Sequence, residues 1–223
     1  MKKVSYIILM ITGVLLATSC EYDNYEEPSS VLEGRFVYND QEVGVKSDLD
    51  VIRLYEEGWQ KFTPITVSVK HDGTFRASLF DGDYKMALVA GNGPWQNISD
   101  TIEFQFNGSK VLDIPVEPFF WPNNEDYQIN GTTLSASFDI DQVVEGKEIE
   151  FVSFYVGNTA LVDNLYNAKN VRLQPADIPD LDERLSIDMD ISDIDQNFVY
   201  ARIGIKTRGN HELVFTQTQK IDL

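Results

Sequence analysis

The side chains of this sequence best suited to hold a ligand are its tryptophans and the aromatic residues beside them. Aromatic rings stack on the C–H faces of sugars, while nearby carboxylates and amides take the sugar hydroxyl groups. The candidates are Trp59, Trp95, Phe119, Phe120 and Trp121. If these rings are exposed and lie together, the chemistry that they support is non-covalent binding of a glycan.

Carboxylates are a second group of candidates, since the chain has 36 Asp and Glu residues. Oxygen ligands of the kind that Ca²⁺ prefers are offered by Asp81 with Asp83, and by Asp188 with Asp190, Asp193 and Asp195. No EF-hand spacing is present, and Asp188 and Asp190 alternate with apolar residues, as on the solvated face of a strand. A glycosidase would need two carboxylates ~5–10 Å apart in a cleft, and a carboxylate-rich chain always offers pairs. We predict no metal site, with structural calcium and glycosidase chemistry as less favoured alternatives.

Residues that many enzymes require are missing from the chain. Cys20 is its only cysteine, and His71 and His211 are its only histidines. This excludes a disulfide framework, a thiolate metal site and a histidine-rich zinc site. No Gly-x-Ser-x-Gly elbow, glycine-rich phosphate loop or His-Glu-x-x-His pattern occurs. A net charge of −18 repels nucleic acid and suits neutral or cationic ligands. We predict a binding protein without catalysis, cofactor or nucleic-acid partner.

The start of the chain has the pattern of a lipoprotein signal peptide, predicted over 1–19. Lys2 and Lys3 form a positive start, and the apolar run 6–17 is too short to span a bilayer, which needs ~20 residues. Small residues precede Cys20, whose thiol would take the lipid. The alternative is an ordinary cleaved signal with an incidental cysteine. We predict lipidation of Cys20 and attachment to a membrane.

The elements that position the candidate residues are predicted to be short strands, because turn signals recur about every 8 to 12 residues. An acidic tether over 20–30 precedes them. Strands are expected over 31–38, 49–55, 62–70, 74–80, 84–90, 98–106 and 110–116. The turns at 71–73 and 107–108 contain glycine, which supplies the positive φ of tight hairpins. These strands predict an N-terminal β-sandwich over 31–118.

The second half repeats this pattern after a linker predicted over 119–125, where Pro122 and two asparagines fall. Strands are expected over 132–140, 148–156, 184–191, 198–206 and 212–221, and a long irregular connection over 158–182 has room for a short helix. They predict a C-terminal β-sandwich over 126–223. The expected fold is therefore all-β, with two tandem β-sandwich domains.

Strand direction sorts the aromatic candidates. If consecutive strands run antiparallel, the Trp95 loop, the turn at 71–73 and the linker share one end of the first sandwich. The rings expected to cluster at the domain junction are Trp95, Phe119, Phe120 and Trp121. Two interpretations are open: these rings hold the domains together, or they line an interdomain ligand cleft. Trp59 lies towards the tether, as a packed loop anchor or as a sugar platform.

Several motifs together resemble a known family. After the acidic tether come Asp72-Gly73-Thr74-Phe75, Phe80-Asp81-Gly82-Asp83-Tyr84-Lys85 and Asp113-Ile114-Pro115-Val116-Glu117-Pro118-Phe119-Phe120. This resembles the gut Bacteroidetes lipoproteins called domain of unknown function 3823, over nearly all of the mature chain. The resemblance implies a transthyretin-like, carboxypeptidase-regulatory-like first sandwich. Through residues 149–157 it implies a second sandwich, of immunoglobulin or fibronectin type.

What the resemblance implies about function is limited, because the family is functionally undefined. Members tend to be encoded beside outer-membrane glycan importers, which implies an accessory that binds glycan or a partner in a polysaccharide-uptake complex. The alternative is a structural stalk or assembly subunit without a ligand. Acidic residues over 21–27 resemble a signal for export to the cell surface, so we expect a lipid-anchored protein of the outer membrane that faces outwards. Asp100-Thr101-Ile102 matches the O-glycosylation pattern of this phylum, which makes Thr101 a candidate site.

Overall fold

The computed structural model describes residues 26–58, 63–178 and 180–223. The structure over these ranges is built from strands, with one short 3-10 turn at Pro175–Asp177. No helix in the described part of the chain is long and apolar enough to cross a membrane. The predicted signal peptide, Cys20 and Trp59 lie outside the described residues. The predicted all-β fold class is confirmed.

The first half forms a β-sandwich. Its strands are β1 Ser30–Tyr38, β2 Gln41–Glu42, β3 Leu49–Glu56, β4 Ile65–Val69, β5 Thr74–Leu79, β6 Gly82–Leu88, β7 Ile102–Phe106 and β8 Ser109–Pro115. β1 pairs with β2, β5 and, in parallel, β8, while β4, β3, β6 and β7 follow one another. Only the Val69–Phe75 pair joins β4 to β5, so the strands separate into two layers. In β4 Val67 and Val69 are buried while Thr66 and Ser68 are exposed, as expected for a strand with one face on a core.

The second half forms another sandwich. Its strands are β9 Phe120–Asn130, β10 Thr133–Gln142, β11 Ile149–Gly157, β12 Lys169–Leu173, β13 Leu185–Asp190, β14 Phe198–Thr207, β15 Leu213–Phe215 and β16 Gln219–Asp222. One sheet has the order β13-β10-β9, and the other has the order β12-β11-β14, with β15 and β16 both paired to β14. Every second residue of β10 from Leu134 to Ile140 is buried. The two tandem sandwiches are thus as predicted.

Parts of the second half differ from the expected elements. The segment 119–125, expected to be a linker, is mostly strand, because β9 begins at Phe120. β9 is an edge strand of its sheet, and an edge tolerates Pro122 because only one side of the strand is hydrogen-bonded. The strand expected over 212–221 is two strands, β15 and β16, separated by residues that turn towards the first sandwich. The connection 158–182 contains β12 and the 3-10 turn, and its described residues contain no α-helix.

The two sandwiches pack against each other through backbone and side-chain contacts. Gly44 forms an isolated antiparallel bridge with Phe215, whose amide donates to the Gly44 carbonyl at 2.9 Å. Lys46 and Glu212 form an ion pair at 2.6 Å, and Asn210 donates to the Gly93 carbonyl at 3.0 Å. One cluster of buried apolar residues runs from the first core into the second. The domains therefore form one packed unit.

Candidate functional site

The four rings expected at the domain junction are all buried. Trp95 is 3% exposed and stacks on Phe36 with ring centroids 4.6 Å apart. Trp121 is 8% exposed and meets Tyr38 edge-on at 5.4 Å. Phe119 and Phe120, which precede Trp121 in the chain, are buried as well. Rings this buried offer little face for a sugar to stack on, so the arrangement favours the packing interpretation, although Trp121 also lines a hollow between the two domains.

The loops do meet at the predicted end of the first sandwich. Trp95 forms an isolated bridge with Pro118, and the Phe119 amide donates to the Pro94 carbonyl at 3.1 Å. The Trp95 loop therefore lies beside the chain that crosses between the domains. Thr101, the candidate glycosylation site, is exposed immediately before β7.

The carboxylates considered as calcium ligands have local partners. The Gly108 amide and the Ser30 hydroxyl both donate to Asp81, and the Ser30 hydrogen bond lowers the pKa of that carboxyl. Ser135 donates to Asp188 at 2.6 Å, and Lys169 pairs with Asp193 at 2.6 Å. Among the described residues, no group of three or more His, Cys, Asp and Glu side chains is placed to hold a metal ion.

A site that the sequence did not reveal lies along β9. The bulge hollow has a volume of about 820 Å³ and is lined by Asn123, Asn124, Asp139, Ile140, Asp141, Gln142, Ile178, Asp180, Leu181 and Asp182. The interdomain hollow, of about 340 Å³, is lined by Gln41, Glu42, Trp121, Pro122, Asn123, Asn124, Glu125, Phe215, Thr216 and Gln217. Asn123 and Asn124 line both hollows. The two hollows therefore share a wall at these two residues, and we refer to them together as the groove.

A β-bulge places these two asparagines. The register between β9 and β10 shifts at Ser137 and Asp139, which leaves two β9 residues, Asn124 and Glu125, opposite a single β10 residue. Asn124 has φ 53°, in the left-handed region that asparagine adopts more readily than most residues. Pro122 followed by two asparagines is the signal that sequence analysis assigned to a linker. Within a strand, the same residues mark a bulge.

Hydrogen bonds fix the polar side chains at the bulge. The side-chain nitrogen of Asn124, Nδ2, donates to Asn123 Oδ1 at 2.7 Å and to Asp139 Oδ2 at 2.9 Å. The Asn123 amide nitrogen donates to Asp141 Oδ2 at 2.9 Å. Arg184 pairs with Asp139 at 3.1 Å and donates to the Asn124 carbonyl at 2.7 Å. Each carboxylate has further lone pairs for ligand hydroxyl groups, so the site presents a preset row of acceptors.

Both domains contribute walls to the interdomain hollow. On the N-terminal side, Arg35 donates to Glu42 at 2.6 Å, and this hydrogen bond lowers the pKa of the Glu42 carboxyl. On the C-terminal side, Gln217 donates to the carbonyls of Glu42 and Asp72 at 3.0 and 3.1 Å. Gln219 donates to Glu125 at 3.0 Å. The hollow therefore exists only while the two sandwiches keep their relative placement.

Two family models cover most of the chain. Residues 30–117 match the N-terminal domain of the protein family of unknown function DUF3823, and residues 122–220 match a domain of unknown function described as its C-terminal domain, DUF3823_C. No curated protein sequence matches the chain.

Solved structures are similar over most of their length. A DUF3823 family protein from Bacteroides ovatus is 31% identical, with a TM-score of 0.80 over 87% of this chain and 99% of that one. A DUF3823 family protein from Parabacteroides merdae is 28% identical, with a TM-score of 0.80 over 88% of this chain and 100% of that one. A protein from Bacteroides uniformis, described as a proposed carbohydrate binding protein, shares the fold at 17% identity, with a TM-score of 0.75 over 88% and 100% of the two chains. The chain therefore belongs to the DUF3823 family and contains both of its domains.

Proposed function

We propose that this chain is a non-catalytic carbohydrate-binding lipoprotein, and that the groove along β9 holds an oligosaccharide. The observation that carries the proposal is that Asn123 and Asn124 line both the bulge hollow and the interdomain hollow. Each volume lies within the range of about 300–1,000 Å³ that is usual for ligand sites. Two hollows in a row suit an elongated ligand better than a compact one.

The lining of the groove matches the chemistry of a sugar. Carboxylates and amides alternate at the bulge, and they can accept from and donate to hydroxyl groups. Ile178 and Leu181, which are partly exposed, add apolar surface for the C–H faces of the ligand. The fold shared with the Bacteroides uniformis protein described as a proposed carbohydrate binding protein is compatible with this proposal.

The charge of the groove favours a neutral glycan. Arg184 offsets Asp139, but Asp141, Asp180 and Asp182 also line the bulge hollow. Glu42 and Glu125 line the interdomain hollow. Although Arg35 also pairs with Glu42, the carboxylates outnumber the two arginines, and an anionic ligand would meet an excess of like charge that lowers its affinity and its association rate. We therefore propose that neutral oligosaccharides bind and that uronate-bearing or sulfated ones do not.

Affinity electrophoresis with a panel of soluble neutral polysaccharides tests the ligand class, followed by calorimetry with oligosaccharides of the retarding polymer. Asn123→Ala removes the amide shared by both hollows and should weaken binding about tenfold, which corresponds to about 1.4 kcal/mol. Asn130→Ala, an exposed position on the same strand and outside the groove, is the matched control and should bind like the wild type. Failure of every neutral polysaccharide to retard the protein would refute the proposal.

We further propose that lipid on Cys20 holds the protein on the outer membrane, with its acidic tether directing it to the cell surface. The signal-peptide pattern before Cys20 supports this placement. In Cys20→Ser, the protein should leave the envelope fraction and lose the mass of the lipid. Retention of this variant in the envelope at an unchanged mass would contradict the anchor.

A second candidate function is docking to a protein partner of an uptake complex. The loop over 158–168 exposes Leu161, Leu165 and Tyr166, with 49%, 66% and 64% of their surfaces accessible. Exposed apolar groups of this kind are common at protein interfaces. Copurification of an importer with the wild type, and its loss in Leu165→Asp with Tyr166→Asp, would favour this function over glycan binding.

A further inference from the structure

The most deeply buried cation of the described chain lies at the domain boundary. Arg202 in β14 has no exposed surface, and it donates five hydrogen bonds at 2.9–3.3 Å. The acceptors are the backbone carbonyls of Val45 and His71 in the first sandwich and of Val162 and Thr216 in the second. A single guanidinium therefore bridges backbone segments of both domains.

Burial of the positive charge of Arg202 away from water is energetically unfavourable. Burial lowers the pKa of Arg202 to about 9, and the negative charge of Asp163 nearby opposes that shift. Replacing a buried ion with apolar groups is often neutral or stabilising, so core stability alone does not account for a guanidinium at this position. Because Arg202 bonds to carbonyls of both sandwiches, it fixes the position of one sandwich relative to the other.

Arg202 also contacts the wall of the interdomain hollow. Two of its hydrogen bonds, from Nε at 3.1 Å and Nη2 at 2.9 Å, converge on the Thr216 carbonyl. Its guanidinium lies 4.3 Å from the centre of the Phe215 ring. Phe215, Thr216 and Gln217 line the hollow, and Gln217 reaches across to the Glu42 carbonyl on the opposite wall.

We infer that Arg202 is a positioning residue for ligand binding: it locks the two sandwiches in the arrangement that forms the interdomain end of the groove. The inference deepens the proposed function and rests on it where affinity is concerned. The lock itself is independent of any ligand. The shape of the interdomain hollow would then depend on Arg202, a residue that does not line that hollow.

The first sandwich is built to admit this side chain closely. A Cβ on Gly44 would lie 2.7 Å from Arg202 Nη2 and 2.4 Å from the Phe215 carbonyl oxygen. Gly44 is not in the left-handed region, so an alanine there would meet no backbone strain of its own. Gly44→Ala therefore disturbs the same boundary from the opposite domain, at the Phe215 carbonyl and at Arg202 Nη2, without changing the charge of Arg202.

Hydrogen exchange of the whole protein, measured peptide by peptide, tests the lock directly. Arg202→Lys keeps the charge but replaces three nitrogens that make five hydrogen bonds with one nitrogen that has three N–H donors. Amides over 43–45 and 213–217 should exchange about tenfold faster, as expected for local opening of this boundary. Arg172→Lys, on the exposed face of β12, is the matched control and should leave these amides unchanged. Gly44→Ala should reproduce the effect, and Gly82→Ala, whose added Cβ would have no neighbour closer than 3.5 Å, should not.

Affinity for the retarding oligosaccharide then tests positioning. Arg202→Lys and Gly44→Ala should each weaken binding about tenfold at a temperature where both remain folded. Wild-type exchange in Arg202→Lys would overturn the lock, whatever Gly44→Ala does and whether or not glycan binds. Faster exchange with wild-type affinity would overturn positioning. If the wild type binds no glycan, the proposed function fails and faster exchange still supports the lock.

Discussion

The backbone amide of Ser47, in the first sandwich, donates a hydrogen bond of 3.1 Å to the carboxylate of Asp163, in the second. The other carboxylate oxygen accepts from the amides of Leu165 and Tyr166, at 2.8 Å each. Asp163 has no exposed surface. One buried carboxylate therefore shapes the loop over 158–168 and ties that loop to the other domain.

Asp163→Ala should destabilise the protein by about 3 kcal/mol, because it leaves three amides near the domain boundary without their acceptor. Chemical denaturation measures the change in the free energy of unfolding. The control is Asp190→Ala, which removes an exposed carboxylate that accepts from the Ser192 amide at 3.0 Å. The control should have a clearly smaller effect. Equal losses in the two variants would show that Asp163 is not an interdomain tie.

Trp95→Ala should lower the free energy of unfolding by about 3–5 kcal/mol, the usual range for removing a large buried ring. Trp95 packs on Phe36, and the rings between the domains lie beside it. Since the ring is buried, glycan affinity of the folded variant should remain near that of the wild type. A variant of normal stability that no longer binds glycan would instead restore Trp95 as a ligand residue.

The acidic lining predicts a selectivity that charge removal can reverse. Asp141→Asn combined with Asp182→Asn should strengthen binding of uronate-bearing oligosaccharides severalfold, because two like charges leave the groove. Calorimetry with a neutral and an anionic oligosaccharide measures the change. Addition of salt to about 0.5 M should reduce the difference between the affinities of the wild type for the neutral and the anionic oligosaccharide. Asp222→Asn, outside the groove, controls for net charge, and an equal gain in this variant would place the selectivity elsewhere.

The free energy of unfolding should depend on pH through the protonation of His71, which lies at the domain boundary. Its burial, together with the positive charge of Arg202, lowers the pKa of His71 from its ordinary value of 6.5. The unfolded chain therefore binds a proton at a higher pH than the folded chain does, and stability rises with pH between the lowered pKa and about 6.5. Above that window the contribution is constant. Below that window His71 is protonated in both states, and this contribution to the free energy of unfolding is lost.

Urea denaturation of the wild type and of His71→Gln between about pH 5 and pH 8 measures this contribution. The wild type should lose stability relative to the variant as the pH falls below about 6.5. Carboxylates other than the neighbouring Asp72, whose lowered pKa owes part of its shift to His71, titrate alike in the two proteins, so the difference between the curves reports on His71 and its contact with Asp72. Parallel curves over the whole range would show that protonation of His71 does not oppose folding.

The strands could be predicted wherever a local pattern was strong. The alternation of Ile65, Val67 and Val69 and the glycine turns at 71–73 and 107–108 indicated strands and hairpins that the structure contains. Prediction failed where a strand lies at an edge or departs from alternation. β9 contains Pro122 and a bulge, and its residues were assigned to a linker because proline and asparagine are common in both.

The groove could not be found in the same way, because its walls come together only in three dimensions. Asn123 is 18 residues from Asp141, its hydrogen-bond partner, and Gln217 is 175 residues from Glu42. No short motif marks such a pair. Trp95, Phe119, Phe120 and Trp121 lie at the domain junction, as strand direction indicated, but the burial of their faces depends on how tightly the two domains pack.

The all-β class and the two tandem sandwiches follow from hydrophobic alternation and turn residues, which act over a few neighbouring positions, and the family follows from the resemblance of short motifs. The placement of one sandwich on the other, with the groove and the surroundings of Arg202, emerges only in three dimensions. It depends on side chains such as Arg202 and Gln217, which donate to backbone carbonyls of the other domain. Because every residue has a backbone carbonyl, packing selects which ones are reached, and no local pattern of the sequence marks them.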